Sequence, residues 1–497
     1  MKYIITIDQR TSSSKALLFD EEFKIIDKQI IPHKKFYPKE GWAEVDAEEI
    51  YRNTVSAVSN LAIPEGDDIE FSISIVNQRE TVVIWDKKTG KPVYRAILWQ
   101  CQRGTRFCEQ LIEQGFETPI KEKTGLLLDP YFSASGAKWV LDNVESVRER
   151  AERGELLFGT IDTWLIWKLT GGKIHATDYT NASRTLLFNI NSLEWDKDLL
   201  KLFTIPECMM PEAKPSDSIF GETDVEGIFN NPISIAGVIG NSHGALVGQM
   251  CFEPGMGKTT YGTGSSVMFN IGEEVVSAPN GMVCSIGFSV FDKTYYVLEG
   301  HVHASGATVE WLKDSLQLIT DIDDIDAIAD SVPNNGGVYF VPAFSGLGSP
   351  WWISEAKAMI TGITLSTTKA HIVRAALESI AYQVTDVIEL VSRNSNSPLR
   401  ELRIDGEAAG SDFLLQFQSD MLGFPVSRLN VEEASGFGSA ILNSCARGVF
   451  SSIDQVKQLH MDSRLCTPQM KPEERNNCQQ GWLQSVHTVI ISAKKNG

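Results

Sequence analysis

The stretch YIITIDQRTSSSKALLFD, residues 3–20, reads as an apolar strand, an acidic residue at Asp8, a seven-residue polar turn and a second apolar strand. Such a hairpin gathers the hydroxyls of Thr11, Ser12, Ser13 and Ser14 with backbone N–H donors, the groups that a phosphate and its metal ion require. Arg10 is the odd residue, because a turn whose backbone touches a phosphate usually carries glycine there. A second stretch, TGSSVMFNIG at 263–272, echoes TSSSKALLFD at 11–20, each being a hydroxyl-rich turn that feeds an apolar strand. The echo predicts two related halves with a phosphate hairpin apiece and a nucleotide between them. Pro and Gly interrupt the pattern in GQMCFEPGMGK, residues 248–258, which sets the halves at 1–250 and 251–497.

Strand-like runs such as FSISIV (71–76) and TVVIW (81–85) alternate with helical stretches, the signature of layered α/β architecture. Asp46 followed by Glu49 predicts a capping box that opens a helix through Ile50, Val55, Val58 and Leu61. A longer helix follows Thr367 and Thr368, with Ile372, Ala376, Ile380, Val384, Val387 and Val391 at three- and four-residue steps on one buried face.

A chain of 497 residues exceeds one core and predicts two large domains. Its 42% hydrophobic and 22% charged content is that of a soluble globular protein. The formal charge of −19 argues against a nucleic-acid or anionic-membrane partner, so an anionic ligand needs a local basic patch or a metal. The eight cysteines are scattered without a C-x-x-C pair, which points to a reducing compartment and no structural zinc. No apolar run approaches the ~20 residues of a membrane span, and the amino terminus lacks a signal-peptide core; the expected location is the cytoplasm.

Several motifs then carry a more specific resemblance. VNQRETVVIW (76–85), ILWQCQR (97–103), TGLLLDPYFSASGAKWVLDN (124–143), DYTNASRTLLFNI (178–190), YGTGSSVMFNIG (261–272) and VPAFSGLGSPWW (341–352) resemble, in order and spacing, the glycerol kinases among the FGGY carbohydrate kinases. The resemblance covers nearly the whole chain. It implies two actin-like, ribonuclease-H-like α/β domains closing on ATP, Mg2+ and glycerol or a similar polyol, in a homodimer or tetramer. It also implies polyol binding by Arg79, Glu80, Trp99 and Tyr131, residue types that suit a hydroxyl-rich ligand with a short carbon chain. On the nucleotide side it implies Asp8 holding magnesium through water, Thr11, Ser12 and Ser13 on the phosphates beside Arg10, and Thr263 and Gly264 in the second hairpin. Gly306 is implied near the phosphates, and Gly406, Glu407 and Ser411 near the nucleoside.

The chain departs from that pattern at three places. GNSHGAL (240–246) puts Asn241 where these kinases carry the aspartate that receives the hydroxyl proton, and Ser242 where they carry glutamine. An amide takes no proton at neutral pH, and losing general-base help typically costs ~10²–10⁴ in rate. On a strand, His243 would share Asn241's face and offer a replacement. Glu407 replaces a glycine and Ser411 an asparagine in the nucleoside segment, and Arg10 replaces the turn glycine, though its guanidinium offers phosphate a planar fork of donors. Three readings follow: a slowed ATP-dependent glycerol or polyol kinase, a kinase of another sugar or polyol, and a catalytically silent polyol-binding or regulatory paralogue.

Overall fold

Strand β1 (Lys2–Gln9) is buried along most of its length and β2 (Ser13–Phe19) pairs with it antiparallel, Asp8 facing Lys15 and Gln9 facing Ser14. The turn is therefore Arg10–Ser12, not seven residues, because Ser13, Ser14 and Lys15 extend the ladder and the Arg10 N–H closes on the Ser13 carbonyl at 2.8 Å. This computed structural model describes residues 1–66, 68–395, 397–459 and 461–496. Strand β3 (Ile25–Pro32) continues the meander, and β4 (Glu70–Asn77) lies parallel to β1 on its other side. Between them Asp46 caps α1 (Ala47–Ser59) through the Glu48 N–H, while Glu49 turns away to accept from the Lys34 N–H at 3.1 Å, so only half of the expected capping box forms. Strand β5 (Ile219–Thr223) flanks β6 (Ile233–Gly240), which lies parallel to β4, giving the sheet order β5-β6-β4-β1-β2-β3. The expected strand over 81–85 is displaced: it runs over Val83–Asp86, since Thr81 turns back to bond Arg79.

Helix α2 (Asn241–Gly248) links the two halves. The second sheet repeats the first plan: β7 (Met256–Tyr261) pairs antiparallel with β8 (Ser265–Gly272), followed by β9 (Val283–Val290) and β10 (Lys293–Val302). Strand β11 (Glu401–Asp405) lies parallel to β7, and β12 (Val426–Leu429) and β13 (Ser463–Cys466) complete the order β9-β10-β8-β7-β11-β12-β13. Turn for turn, Gly262–Gly264 stands in the second hairpin where Arg10–Ser12 stands in the first, as the sequence echo predicts. Helix α3 (Lys369–Asn394) opens at Thr368 with a capping box closed by His371 and buries the predicted face on the second sheet.

Two cores fill the halves and a third joins them. It gathers Leu17, Val76 and Ile239 from the first sheet, Met268, Phe288 and Val297 from the second, and Leu246, Phe437 and Ile441 from two helices between them. Those helices are α2 and α5 (Ala434–Ala446), the latter following α4 (Asp412–Leu422) and preceding α6 (Pro472–Asn496). Asn443 of α5 pins the first sheet, donating to the carbonyls of Ile73 and Ala236 at 2.9 and 3.0 Å and accepting from Ser72 at 2.9 Å.

The α2–α5 crossing depends on the absence of side chains. A Cβ on Gly438 would lie 2.0 Å from the Gly244 carbonyl oxygen, and one on Gly248 2.0 Å from that of Ala434. Gly438→Ala must push the helices apart; urea unfolding is expected to show a loss of about 1–3 kcal/mol, the usual cost of overpacking.

Candidate active site

Beyond the end of β4, Arg79 and Glu80 enter a lattice of four charges. Arg79 grips Glu299 of β10 through two nitrogens at 3.2 and 3.1 Å, and Arg184 bridges Glu299 and Glu80, both at 2.6 Å. All four side chains are at most 6% exposed. Two positive and two negative charges cancel, and each keeps hydrogen-bonding partners, the condition under which buried ions are tolerated. Burial would raise the Glu299 carboxyl, but Arg184 and Arg79 outweigh it and hold it below the ordinary carboxylate range. Glu80 adopts a left-handed φ of 63°, and its carboxylate accepts from Arg184 Nε. Tyr131 lies against the same cluster; burial, then the Glu80 charge, pushes its phenol up to about 12, so it stays a hydrogen-bond donor. Its ring meets that of Trp99 edge-on at 5.4 Å, and the Trp99 Nε1–H donates to Thr11 Oγ1 at 3.0 Å. The residues expected to hold a polyol are thus tied directly to the first hairpin turn.

Arg184 and Glu299 were not singled out by sequence. Arg184 lies inside DYTNASRTLLFNI, and Glu299 is a lone carboxylate in the apolar run TYYVLEGHV, a pattern that itself calls for a buried cation.

Asn241 is the first residue of α2, set there because Gly240 at the end of β6 pairs with Asn77 of β4. A Cβ on Gly240 would lie 2.7 Å from Arg79 Cγ, so the helix starts directly beside the charged lattice. Asn241 Oδ1 accepts from the Ser242 N–H at 2.8 Å, and both side chains are half-buried. His243 does not share Asn241's face: the segment is helical, not a strand, and turns the imidazole into the core, where Nε2 meets Ser285 Oγ at 3.3 Å and Nδ1 has no partner. Burial, followed by the Arg79 charge, drives its pKa well below the ordinary value, so this ring is neutral and buried, unsuited to receive a substrate proton.

At the first hairpin, Asp8 is fully buried and its Oδ2 accepts from Arg10 Nε at 2.8 Å, while Oδ1 has no partner. Burial raises its pKa against the pull of Arg10 and Lys15. Thr11, Ser12 and Ser13 are at least partly open to solvent, as a phosphate contact requires. Arg10 has no left-handed φ, so the position does not need glycine for its backbone and the change there is one of charge. In the second hairpin the Gly306 N–H is bonded to the Gly262 carbonyl at 2.8 Å and the Thr263 carbonyl accepts from Ser305 and Ala307, so Gly306 supports the turn around Thr263 and Gly264. Gly406 has φ 96° with the Tyr261 carbonyl oxygen 2.4 Å from where a Cβ would stand, and no other residue fits. Glu407 opens a short 3-10 turn, and its side chain lies outside the described residues. Ser411 caps α4, accepting from the Leu414 N–H and donating to Asp326 at 2.5 Å, so its hydroxyl is engaged within the protein.

Two family models match, describing the N-terminal domain of the FGGY family of carbohydrate kinases over residues 3–248 and its C-terminal domain over 257–447. The chain belongs to the FGGY family of carbohydrate kinases. It is an ATP-dependent kinase of that family. This FGGY kinase is 48% identical to glycerol kinase 1 of Thermotoga maritima over 98% of its length and 99% of that protein's. It is also 48% identical to glycerol kinase of Fusobacterium nucleatum, with 98% of each chain covered. The crystal structure of Plasmodium falciparum glycerol kinase with ADP superposes with a TM-score of 0.92 at 35% identity, covering 98% of both chains. A xylulose kinase from Lactobacillus acidophilus, at 20% identity and a TM-score of 0.90, shares the fold.

Glu299→Gln leaves two buried guanidinium groups short of one counter-charge; chemical denaturation is expected to show a loss of about 3–5 kcal/mol. His243 couples folding to pH. His243 is depressed in the folded chain but takes a proton near 6.5 when unfolded, so the folded state loses stability as pH falls through 6.5. The unfolding free energy of His243→Gln, measured between pH 7.5 and 5.5, is expected to fall less steeply than that of the natural chain, by up to about 1.4 kcal/mol per pH unit.

Proposed function

We propose that this chain transfers the γ-phosphoryl group of ATP to glycerol, giving glycerol 3-phosphate, at a rate limited by the amide at position 241. The observation that carries the reading is the Trp99–Thr11 hydrogen bond of 3.0 Å, which couples the wall of the polyol pocket to the phosphate turn. In phosphoryl transfer most of the catalysis is alignment and charge neutralisation, with little covalent chemistry for the protein to do. The neutral lattice of Arg79, Glu80, Arg184 and Glu299 offers donors and acceptors to hydroxyls without a net charge that would favour an ionic acceptor. Thr11, Ser12 and Ser13 in one turn, and Thr263 and Gly264 in the other, are the groups proposed to meet the phosphates, with Gly406, whose missing Cβ makes room for the Tyr261 carbonyl, proposed to lie beside the nucleoside. Glycerol comes from the relatives that carry that name, at 48% identity.

Asn241 orients the attacking hydroxyl by accepting a hydrogen bond, and the proton leaves to solvent or to the phosphate itself. Magnesium was expected at Asp8, and the residues present there do not fit it: the one engaged oxygen is bonded to Arg10, whose charge cancels that of Asp8. A cytoplasmic location belongs to the same proposal; the eight cysteines are free thiols, and no helix among the described residues is long and apolar enough to cross a membrane. Assembly as a homodimer or tetramer belongs to the same proposal.

The test is product formation from glycerol and a panel of longer polyols by the natural chain and by Asn241→Asp. The variant is expected to raise kcat by ~10² or more with little change in KM, the usual contribution of a general base. Equal turnover in the two would remove Asn241 from the proton path, and no product from either with any polyol would sink the kinase reading.

A further inference from the structure

The first hairpin holds a chain of alternating charges that neither the family match nor the proposed reaction accounts for. Asp8 Oδ2 receives both Arg10 Nε and a terminal Arg10 nitrogen at 2.8 Å. The same terminal nitrogen reaches Glu433 Oε2 at 2.8 Å, and Glu433 Oε1 accepts from Lys15 Nζ at 2.6 Å. Lys28 stands 4.0 Å from the same carboxylate oxygen while bonding Glu432, an outer pair that adds no net charge. Asp8, Arg10, Glu433 and Lys15 sum to zero.

This arrangement is anchored rather than incidental. The Arg10 N–H is bonded to Ser13, and the Arg10 carbonyl accepts from Gln9 Nε2 at 2.7 Å. Glu433 sits at the start of α5 with a left-handed φ of 56°. Asp8 is fully buried, whereas the Arg10 side chain is 44% exposed. Among the described residues the other terminal nitrogen of Arg10 meets no protein acceptor. One edge of the guanidinium is therefore locked to carboxylates while the other is free, a fork whose direction is set in advance for a phosphate oxygen.

We propose that Arg10 is the resident cation of Asp8: the first turn meets the phosphates of the nucleotide with a fixed guanidinium, and Asp8 anchors no divalent ion. The inference rests on reading this turn as a phosphate hairpin. A divalent ion approaching Asp8 finds no net negative charge and a guanidinium in the way. Removing Arg10 leaves Asp8 and Glu433 against Lys15 alone, a net charge of −1 with a buried carboxylate unpaired, and that is a site a cation would fill.

Mn2+ titrations followed by electron paramagnetic resonance on the full chain, without nucleotide, test this directly. The natural chain and Arg10→Lys are expected to show no Asp8-dependent site. Arg10→Gly is expected to bind one Mn2+ at least about tenfold more tightly, and Arg10→Gly/Asp8→Asn to lose that gain. Calorimetry should find the ATP affinity of the natural chain nearly the same in EDTA as in Mg2+, and that of Arg10→Gly lower in EDTA by about tenfold. A natural-chain Mn2+ site abolished by Asp8→Asn, or an Arg10→Gly chain that melts like the natural one yet gains no site, overturns the inference. Glycerol phosphorylation separates the two readings: product from a chain whose Asp8 does hold Mn2+ overturns only this inference. The expected Mn2+ pattern without product overturns only the kinase reading.

Discussion

Four buried charges join the two halves. Arg79 and Glu80 follow β4 of the first sheet, Arg184 comes from the segment beside it and Glu299 from the second sheet, so the cluster proposed to receive the polyol is also a clasp between the halves. A polar ligand can bind there only by joining hydrogen bonds already made, since each ion has been taken out of water and must keep a partner. The proposed recognition of a polyol and the joining of the two sheets are therefore a single electrostatic problem. This explains why the surrounding residues, Gly240 against Arg79 and Glu80 in a left-handed conformation, are so tightly specified.

The two hairpins share a plan and differ in how they treat charge. The second turn, Gly262–Gly264, is held by backbone alone, with Ser305, Gly306 and Ala307 donating to its carbonyls. The first adds side chains to its backbone bonds, with Arg10 pulled back onto Asp8 and forward onto Glu433. One hairpin is thus braced by backbone and carries no charge while the other carries a rigid cation, an asymmetry that suits a ligand whose negative charge is unevenly distributed.

The hairpins and their duplication were legible in the sequence because they depend on local pattern: an apolar run, a polar turn, an apolar run, twice. The turn's length was misread because serine, though polar, pairs in a ladder as readily as it forms a loop. Arg79, Glu80, Trp99 and Tyr131 stand out in short motifs and do gather at one place. Glu299 and Arg184 lie 220 and 105 residues beyond Arg79, and only the pairing of the fold brings them in. His243 was misplaced on a strand because GNSHGAL carries no period long enough to distinguish the last residue of β6 from the first of a helix.

Helix α5 has a further consequence, for the order in which the protein is made. It lies nearly 200 residues after β6, yet Asn443 supplies partners to the backbone of β4 and β6, and its glycine face fits only against α2. While the ribosome is producing the second half, the first sheet has one face without its cover and two strands without that asparagine. The amino-terminal half must wait in an unfinished, sticky state until residue 446 has emerged, which makes translation speed and chaperone protection part of how this molecule reaches its fold.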